Sequence, residues 1–465
     1  MIVIRKCRLS GSAADRAPIP VAASALRPRT RSSLLKSRTR SGRPSLHKIS
    51  GARQTTSPAS VAEERTGAGA GVTRVGFNAG DRLMWRGPGY VPFRDAQETW
   101  AEFVAILMER EEITDLILYG DVRRIHAEAI AEARRRGITV HVFEEGYMRP
   151  YWVSYERGGA NGPSRLMGMG IAEMRPALVA SELDSPETPG RWGDMRQHVF
   201  WGAAYHGAVL LANRGYRAFR PHRDLSVAQE TRLYLRRLVG MPVAAIRRFA
   251  ATQAIQWGGW PYHLVLMQLA HDASLVAHSR LEDQDAFVDL VVKGFTEGAP
   301  LHHRLVFKAH PLEDGRARVR ASIRAAARRH RVEGRVHYVR GGKLAALLDD
   351  ARSAVTVNST AGQQVLWRGL PLKAFGAAVY DKPEFVSRQP LPEFFARPDR
   401  PDSRAYKDYR RYLLETSQVA GGFYSASGRR QLLRQVVDMI LAPEDPYDAL
   451  ANGHASPRQQ LRVVR

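Results

Sequence analysis

At 465 residues, with apolar side chains at 44% and aromatic ones at 8%, the chain has the length for two domains and the composition to bury a core in each, which excludes a wholly disordered protein. The 70 Lys and Arg against 46 Asp and Glu leave a net charge of +24, which draws the protein toward dense negative charge: nucleic acid, anionic lipid or acidic sugar. A single cysteine, Cys7, excludes an intramolecular disulfide framework and a cysteine metal cluster, and fits a reducing, cytoplasmic compartment.

Residues 1–73 are rich in Arg, Ser, Ala, Pro and Gly and hold 14 basic and 3 acidic residues. With no helical or strand period they read as a disordered basic extension: a dispensable tail, a start placed upstream of the true one, or an arm for anionic lipid headgroups. No apolar stretch of signal-peptide length follows the first six residues. The longest apolar run, Val199–Ala212, is too short to span a bilayer. Membrane contact is therefore expected to be peripheral.

Ordered structure is expected from Val75 onward. A helix over Ala96–Arg110, a buried strand over Thr114–Tyr119, a helix over Arg124–Arg136 closed by Gly137 and a strand over Thr139–Phe143 give the strand–helix–strand order of a parallel sheet. Residues 170–255 read as helical and Arg-rich. A second alternation follows, with strands at Tyr262–Met267, Arg304–Lys308, Val336–Tyr338, Ala354–Val357 and Pro371–Phe375 and helices between them. The expectation is an α/β protein of two doubly wound, Rossmann-like lobes, 74–255 and 256–390, facing a cleft. C-terminal helices over 391–443 are expected to pack back on the lobes, ahead of a flexible tail over 444–465.

In open α/β sheets ligands bind beyond the C-terminal strand ends, so the residues there carry the chemical argument. Glu144-Glu145-Gly146-Tyr147-Met148-Arg149-Pro150 offers paired carboxylates for general-base work and an Arg for an anion, or else a solvated acidic turn. Lys308-Ala309-His310-Pro311 aims His310 at a phosphate or leaving group, or is a loop with a satisfied histidine. Asn358-Ser359-Thr360 runs from a buried strand into a helix start, where phosphate recognition and ordinary N-capping are the two readings. Gln268 and Asp272 follow the Tyr262–Met267 strand; Asp272 fits a carboxylate nucleophile or a first-turn acid. Asp121 and Arg123 likewise fit a ligand contact or helix capping. Walker, zincin and nucleophile-elbow patterns are missing, and the basic residues do not interleave with aromatics as in a nucleic-acid-binding module.

The ordered string of Gly120-Asp121-x-Arg123-x-x-His126, Phe143-Glu144-Glu145-Gly146-Tyr147-x-Arg149-Pro150, Asn161-Gly162-x-Ser164, Gln268-x-x-x-Asp272, His278-Ser279, Lys308-x-His310-Pro311, Asn358-Ser359-Thr360, Gly369-x-Pro371-x-Lys373, Gly376-x-x-x-Tyr380-Asp381 and Gln418-x-x-Gly421-Gly422-x-Tyr424 resembles the capsule polysaccharide biosynthesis and export family. One copy of each motif resembles that family's single-unit (KpsS) type; the KpsC type carries two units. The resemblance implies a GT-B-like fold and a retaining β-Kdo transferase that takes Kdo from CMP-Kdo and starts a poly-Kdo linker on a (lyso)phosphatidylglycerol lipid. It implies no cofactor and no metal, peripheral attachment to the inner face of the cytoplasmic membrane, and other capsule assembly proteins as partners. Carried onto this chain, Asp272, Glu144, Glu145 and His310 become the catalytic candidates. Lys308, Asn358, Ser359, Thr360 and Gln268 fall on the nucleotide-sugar side, and Arg149, Tyr147, Asp121 and Arg123 on the acceptor or anion side.

Overall fold

A computed structural model describes residues 2–5, 71–148, 151–179, 196–220, 227–269, 284–310, 313 and 318–454. The chain forms two sheets. The first runs in the order Gln418–Ala420, Trp152–Arg157, Thr139–Glu145, Ile113–Tyr119, Ile2–Arg5, Val72–Gly76 and Tyr90–Pro92, and the second Leu372–Ala374, Ala351–Thr356, Tyr262–Leu266, Arg304–Lys308 and Val336–Val339.

The first sheet uses β1 (Ile2–Arg5), β2 (Val72–Gly76), β3 (Tyr90–Pro92), β4 (Ile113–Tyr119), β5 (Thr139–Glu145) and β6 (Trp152–Arg157). Helices α1 (Ala79–Leu83), α2 (Trp100–Arg110) and α3 (Arg124–Arg135) lie between these strands in sequence. Leu116, Leu118, Val140 and Val142 pack against Trp100, Val104 and Leu107 of α2 and Ile130 of α3. The α/β class holds, but strand direction is mixed. β2–β3 and β4–β5 are parallel, whereas β1 is antiparallel to both its neighbours and β6 is antiparallel to β5. Two differences from the sequence reading follow. Ile2–Arg5 is a strand inside the stretch expected to lack one; an Ile-Val-Ile run is too short to show a period, and its pairing comes from β2 and β4. The strand expected to end at Phe143 continues through Glu145, because β6 pairs with it residue for residue to Val153.

Helices α4 (Ile171–Val179), α5 (Arg196–Ala212) and α6 (Val227–Trp257) follow, as the Arg-rich middle predicts. The second sheet is built from β7 (Tyr262–Leu266), β8 (Arg304–Lys308), β9 (Val336–Val339), β10 (Ala351–Thr356) and β11 (Leu372–Ala374), all parallel. Its helices are α7 (Gln284–Gly298), α8 (Val319–Arg329), α9 (Leu344–Asp349) and α10 (Gly362–Trp367). Every residue of β7 is buried, as a strand covered on both faces requires. His263 in that strand is satisfied by Ser353 (2.8 Å) and His303 (3.0 Å), and burial lowers its pKa to about 3, which keeps it neutral.

After β11 the chain forms α11 (Leu391–Ala396) and α12 (Ser403–Thr416), and then β12 (Gln418–Ala420), which joins the edge of the first sheet beside β6. The last helices are α13 (Ala426–Leu441) and α14 (Pro446–Ala451). Leu432, Val436 and Ile440 of α13 cover Ile117, Phe143 and Tyr155 of the first sheet. Tyr406, Tyr409 and Leu413 of α12 join Leu264 and Val306 of the second sheet, and Trp152 and Leu166 of the first half, in one hydrophobic cluster. That shared core fixes the tips of the second sheet against the end of β5.

Candidate functional site

The second sheet has its topological switch point between β7 and β10, the neighbours from which the chain winds in opposite directions. Gln268 and Asn358 stand just past those two strands and hold each other. The Gln268 Nε2 donates to Asn358 Oδ1 (2.8 Å), and the Asn358 backbone N–H donates to Gln268 Oε1 (3.1 Å). Beyond Asn358 the chain turns through Ser359 and Thr360 into α10. Ser359 Oγ accepts from the Ala361 N–H (3.2 Å), and the Ser359 carbonyl accepts from the Tyr380 hydroxyl (2.6 Å). A Cβ at Gly362 would overlap the Tyr380 ring, so glycine there lets the tyrosine brace the turn. Helix α10 has only six residues, so its dipole is small.

The neighbouring tip follows β8. Lys308 is buried and donates from Nζ to the Ala309 carbonyl (3.1 Å). Burial first, and the charge of Arg248 second, lower its pKa to about 8. His310 comes two residues later, on a loop tied by the Ala309 N–H to the Val339 carbonyl (2.9 Å).

Both tips open on one cavity of about 470 Å³. Lys308, His310, Ser359 and Thr360 line it from the second sheet, and Tyr147, Met148 and Trp152 from the first half. Gln363, Trp367, Arg368, Tyr406 and Arg410 also line it, from α10 and α12 and the residue after α10. No Asp or Glu stands among the described lining residues. The Arg410 guanidinium lies 3.7 Å from the Trp367 ring centroid, a cation–π contact that holds it flat against the wall, and burial pulls its pKa down. Arg368, by contrast, is paired with Asp349 (3.0 Å). Tyr406 donates to Gln363 (2.9 Å) and Gln363 to Tyr409 (3.0 Å), which locks α10 to α12. The cations and hydroxyls set in this partly apolar wall, with no carboxylate among the described lining residues, favour a ligand with more than one negative group.

Tyr147 reaches the cavity from a short link between β5 and β6. A Cβ at Gly146 would overlap the Trp152 carbonyl, so the link closes only around a glycine. The Tyr147 hydroxyl donates to Glu156 Oε1 (2.6 Å) and accepts from the Asn161 N–H (2.7 Å). Glu156 is buried and also receives Ser164 (2.5 Å) and Tyr447 (3.0 Å). Burial raises its carboxyl pKa to about 7, against the three hydroxyls that lower it.

Glu144, Glu145, Asp121 and Arg123 are not among the residues that line the cavity. Glu145 accepts from the hydroxyls of Tyr119 (3.1 Å) and Tyr424, and Glu144 lies over Gly120. Because β5 runs through both residues, the two carboxylates point to opposite faces of the sheet and do not form a pair. Asp121 is buried and accepts from the Ala160 N–H (2.8 Å), while Arg123 is exposed just ahead of α3 and its carbonyl accepts from His126 (2.8 Å). Asp272 and Arg149 lie outside the described residues. An Asp-x-Asp pair, Asp283-Gln284-Asp285, also stands in the sequence; Asp283 is outside the described residues and Asp285 is exposed in the first turn of α7. Sequence reasoning missed Trp367, Tyr406 and Arg410, since two of them sit on α12 in no recognisable pattern.

The family model described as "Capsule polysaccharide biosynthesis protein" matches residues 114–424. The chain is 28% identical over 368 residues to the capsule polysaccharide export protein KpsS of Escherichia coli, covering 78% of this chain and 93% of that one. It is 28% identical over 375 residues to the capsule polysaccharide modification protein LipB of Neisseria meningitidis, covering 78% and 88%. Among solved structures, the KpsC beta Kdo 2,7 transferase of Thermosulfurimonas dismutans aligns with a TM-score of 0.36 at 12% identity, covering 75% of this chain and 92% of that one. With most of its length inside the family match, the chain belongs to the capsule polysaccharide biosynthesis protein family.

Proposed function

We propose that the protein is a glycosyltransferase of capsule biosynthesis, transferring β-Kdo from CMP-Kdo to a (lyso)phosphatidylglycerol-type lipid. The observation that carries this reading is the cavity shared by His310, Ser359, Thr360, Lys308 and Arg410, with no carboxylate among its described lining residues. A CMP-activated acidic sugar brings a phosphodiester and a carboxylate to the same place, and two cations with several hydroxyls answer both. As the bond between the anomeric carbon and the phosphate oxygen breaks, the electron pair leaves with CMP. Lys308, Arg410 and His310 stabilise the charge that gathers there.

In the retaining version of this reaction Asp272 attacks the anomeric carbon and forms a covalent glycosyl ester, and an acceptor hydroxyl then displaces it. Glu144 and Glu145 belong to the acceptor side in this reading. The enzyme works at the inner face of the cytoplasmic membrane, attached peripherally and alongside other capsule assembly proteins. The test is incubation of purified protein with CMP-Kdo and lysophosphatidylglycerol, read by mass spectrometry. A lipid heavier by one Kdo, with release of CMP, is the expected result; turnover of a different nucleotide sugar with no Kdo adduct overturns the donor assignment.

A further inference from the structure

Helix α6 has two faces of opposite character. On one, Thr252 and Ile255 are buried, and Ile255 enters the hydrophobic cluster that holds Leu264 and Trp152. Thr252 and the Arg248 stem lie so close to Gly342 and Gly341 that a Cβ on either glycine would overlap them, and Gly342 lines the cavity. On the other face Val243, Ile246, Phe249 and Trp257 are 53%, 70%, 67% and 80% exposed. At helical spacing these four fall within an arc of about 120°, on the side away from Arg248, Thr252 and Ile255.

The charge of helices α5 and α6 is almost wholly of one sign. Helix α6 carries Arg232, Arg236, Arg237, Arg247 and Arg248 against a single acid, Glu230, and residues 196–220, which include α5, contain no acid at all. Arg232 and Arg247 are exposed, as are Phe200, Leu210 and Leu211 of α5. No described helix is long and apolar enough to cross a membrane. An aromatic and aliphatic stripe flanked by Arg, on a helix that cannot span, is the composition of a helix lying in a bilayer interface.

We infer that the Val243–Trp257 face of α6 docks the protein on a bilayer carrying anionic headgroups, seating Phe249, Ile246 and Trp257 among the acyl chains while the neighbouring arginines meet phosphates. A bilayer is favoured over a protein partner because the charge on helices α5 and α6 is almost wholly basic, which a fluid anionic surface satisfies without shape complementarity. Since the opposite face of the same helix packs through Thr252 on Gly342 of the cavity wall, docking holds the cavity near the surface from which a lipid acceptor is drawn. Only that last step rests on the proposed transferase function; the docking itself does not.

The test uses the full chain and vesicles of phosphatidylcholine with or without phosphatidylglycerol. The wild type is expected to float with the phosphatidylglycerol vesicles, and an Ile246→Ser/Phe249→Ser variant to bind them about tenfold or more weakly. In a Cys7→Ser background, an environment-sensitive fluorophore on Ile246→Cys should shift to the blue when these vesicles are added, and one on Glu98→Cys should not. Equal flotation of wild type and variant, or no shift at position 246, overturns the inference. So does a loss of self-association in the variant with vesicle binding unchanged, which assigns the face to a second copy. Release of CMP from CMP-Kdo with a detergent-dispersed acceptor should survive in the variant. If that release is missing already in the wild type while the vesicle results hold, the transferase reading fails and the docking face stands.

Discussion

Gln268 and Asn358 exchange two hydrogen bonds, of 2.8 and 3.1 Å, across the switch point between β7 and β10. In this exchange the Asn358 side chain only accepts, so Asn358→Asp keeps the bond and adds a negative charge beside Ser359. KM for the donor should rise on the order of tenfold. Gln268→Ala removes both bonds and should destabilise the fold by about 1–3 kcal/mol. Thermal melts and steady-state kinetics on the two variants separate the effects.

Lys308 is the cavity cation whose charge changes in an accessible range. With a pKa lowered to about 8, it is protonated at pH 7 and largely neutral by pH 9. Affinity for CMP should therefore fall as pH rises through that window. Lys308→Met should bind CMP weakly at every pH and lose the dependence. Calorimetric titrations between pH 6.5 and 9 check the slope.

Arg410 stacks on Trp367 in the cavity wall, and in the proposed reaction it meets the anionic groups of the donor. Arg410→Ala should raise KM for the donor about 10- to 100-fold, the worth of one charged hydrogen bond. Arg410→Lys should recover only part of this, because an ammonium neither forks to two oxygens nor lies flat on an indole. Initial-rate kinetics against donor concentration are the measurement.

Glu156 links the cavity residue Tyr147 to Ser164 and Tyr447 from a fully buried position. Its pKa, raised to about 7 from an ordinary 4.5, means that the folded state holds a proton that the unfolded chain has lost between those values. Its contribution to stability is thus fully present below about pH 4.5 and is lost as pH rises through 7, a change on the order of 2–3 kcal/mol. Glu156→Gln keeps the shape and removes the titration, so the variant should gain stability relative to wild type between pH 5 and 8. Denaturant melts across that range give the answer.

The second sheet was readable because its strands are short apolar runs followed by polar residues, a pattern that buried parallel strands impose. The same pattern made His310, Ser359 and Thr360 visible, since each stands directly after a strand. Arg410 and Tyr406 were not visible: they reach the cavity from α12, whose place is set by burial of Tyr409 and Leu413 and by the hydrogen bond of Tyr409 to Gln363, not by any local signal. Glu144 and Glu145 looked like a pair because they are adjacent in sequence, but adjacency in a strand sends side chains to opposite faces. The strand at Ile2–Arg5 depends wholly on partners far along the chain, which no window of neighbouring residues contains.

The central claim is that the tips after β8 and β10 grip one nucleotide phosphate between them. A crystal structure of the protein with CMP tests it most directly. The account predicts the phosphate within about 3 Å of His310 and of the Ser359 or Thr360 hydroxyl, with Arg410 or Lys308 completing its shell. A CMP bound elsewhere, with these side chains turned away from it, contradicts the account.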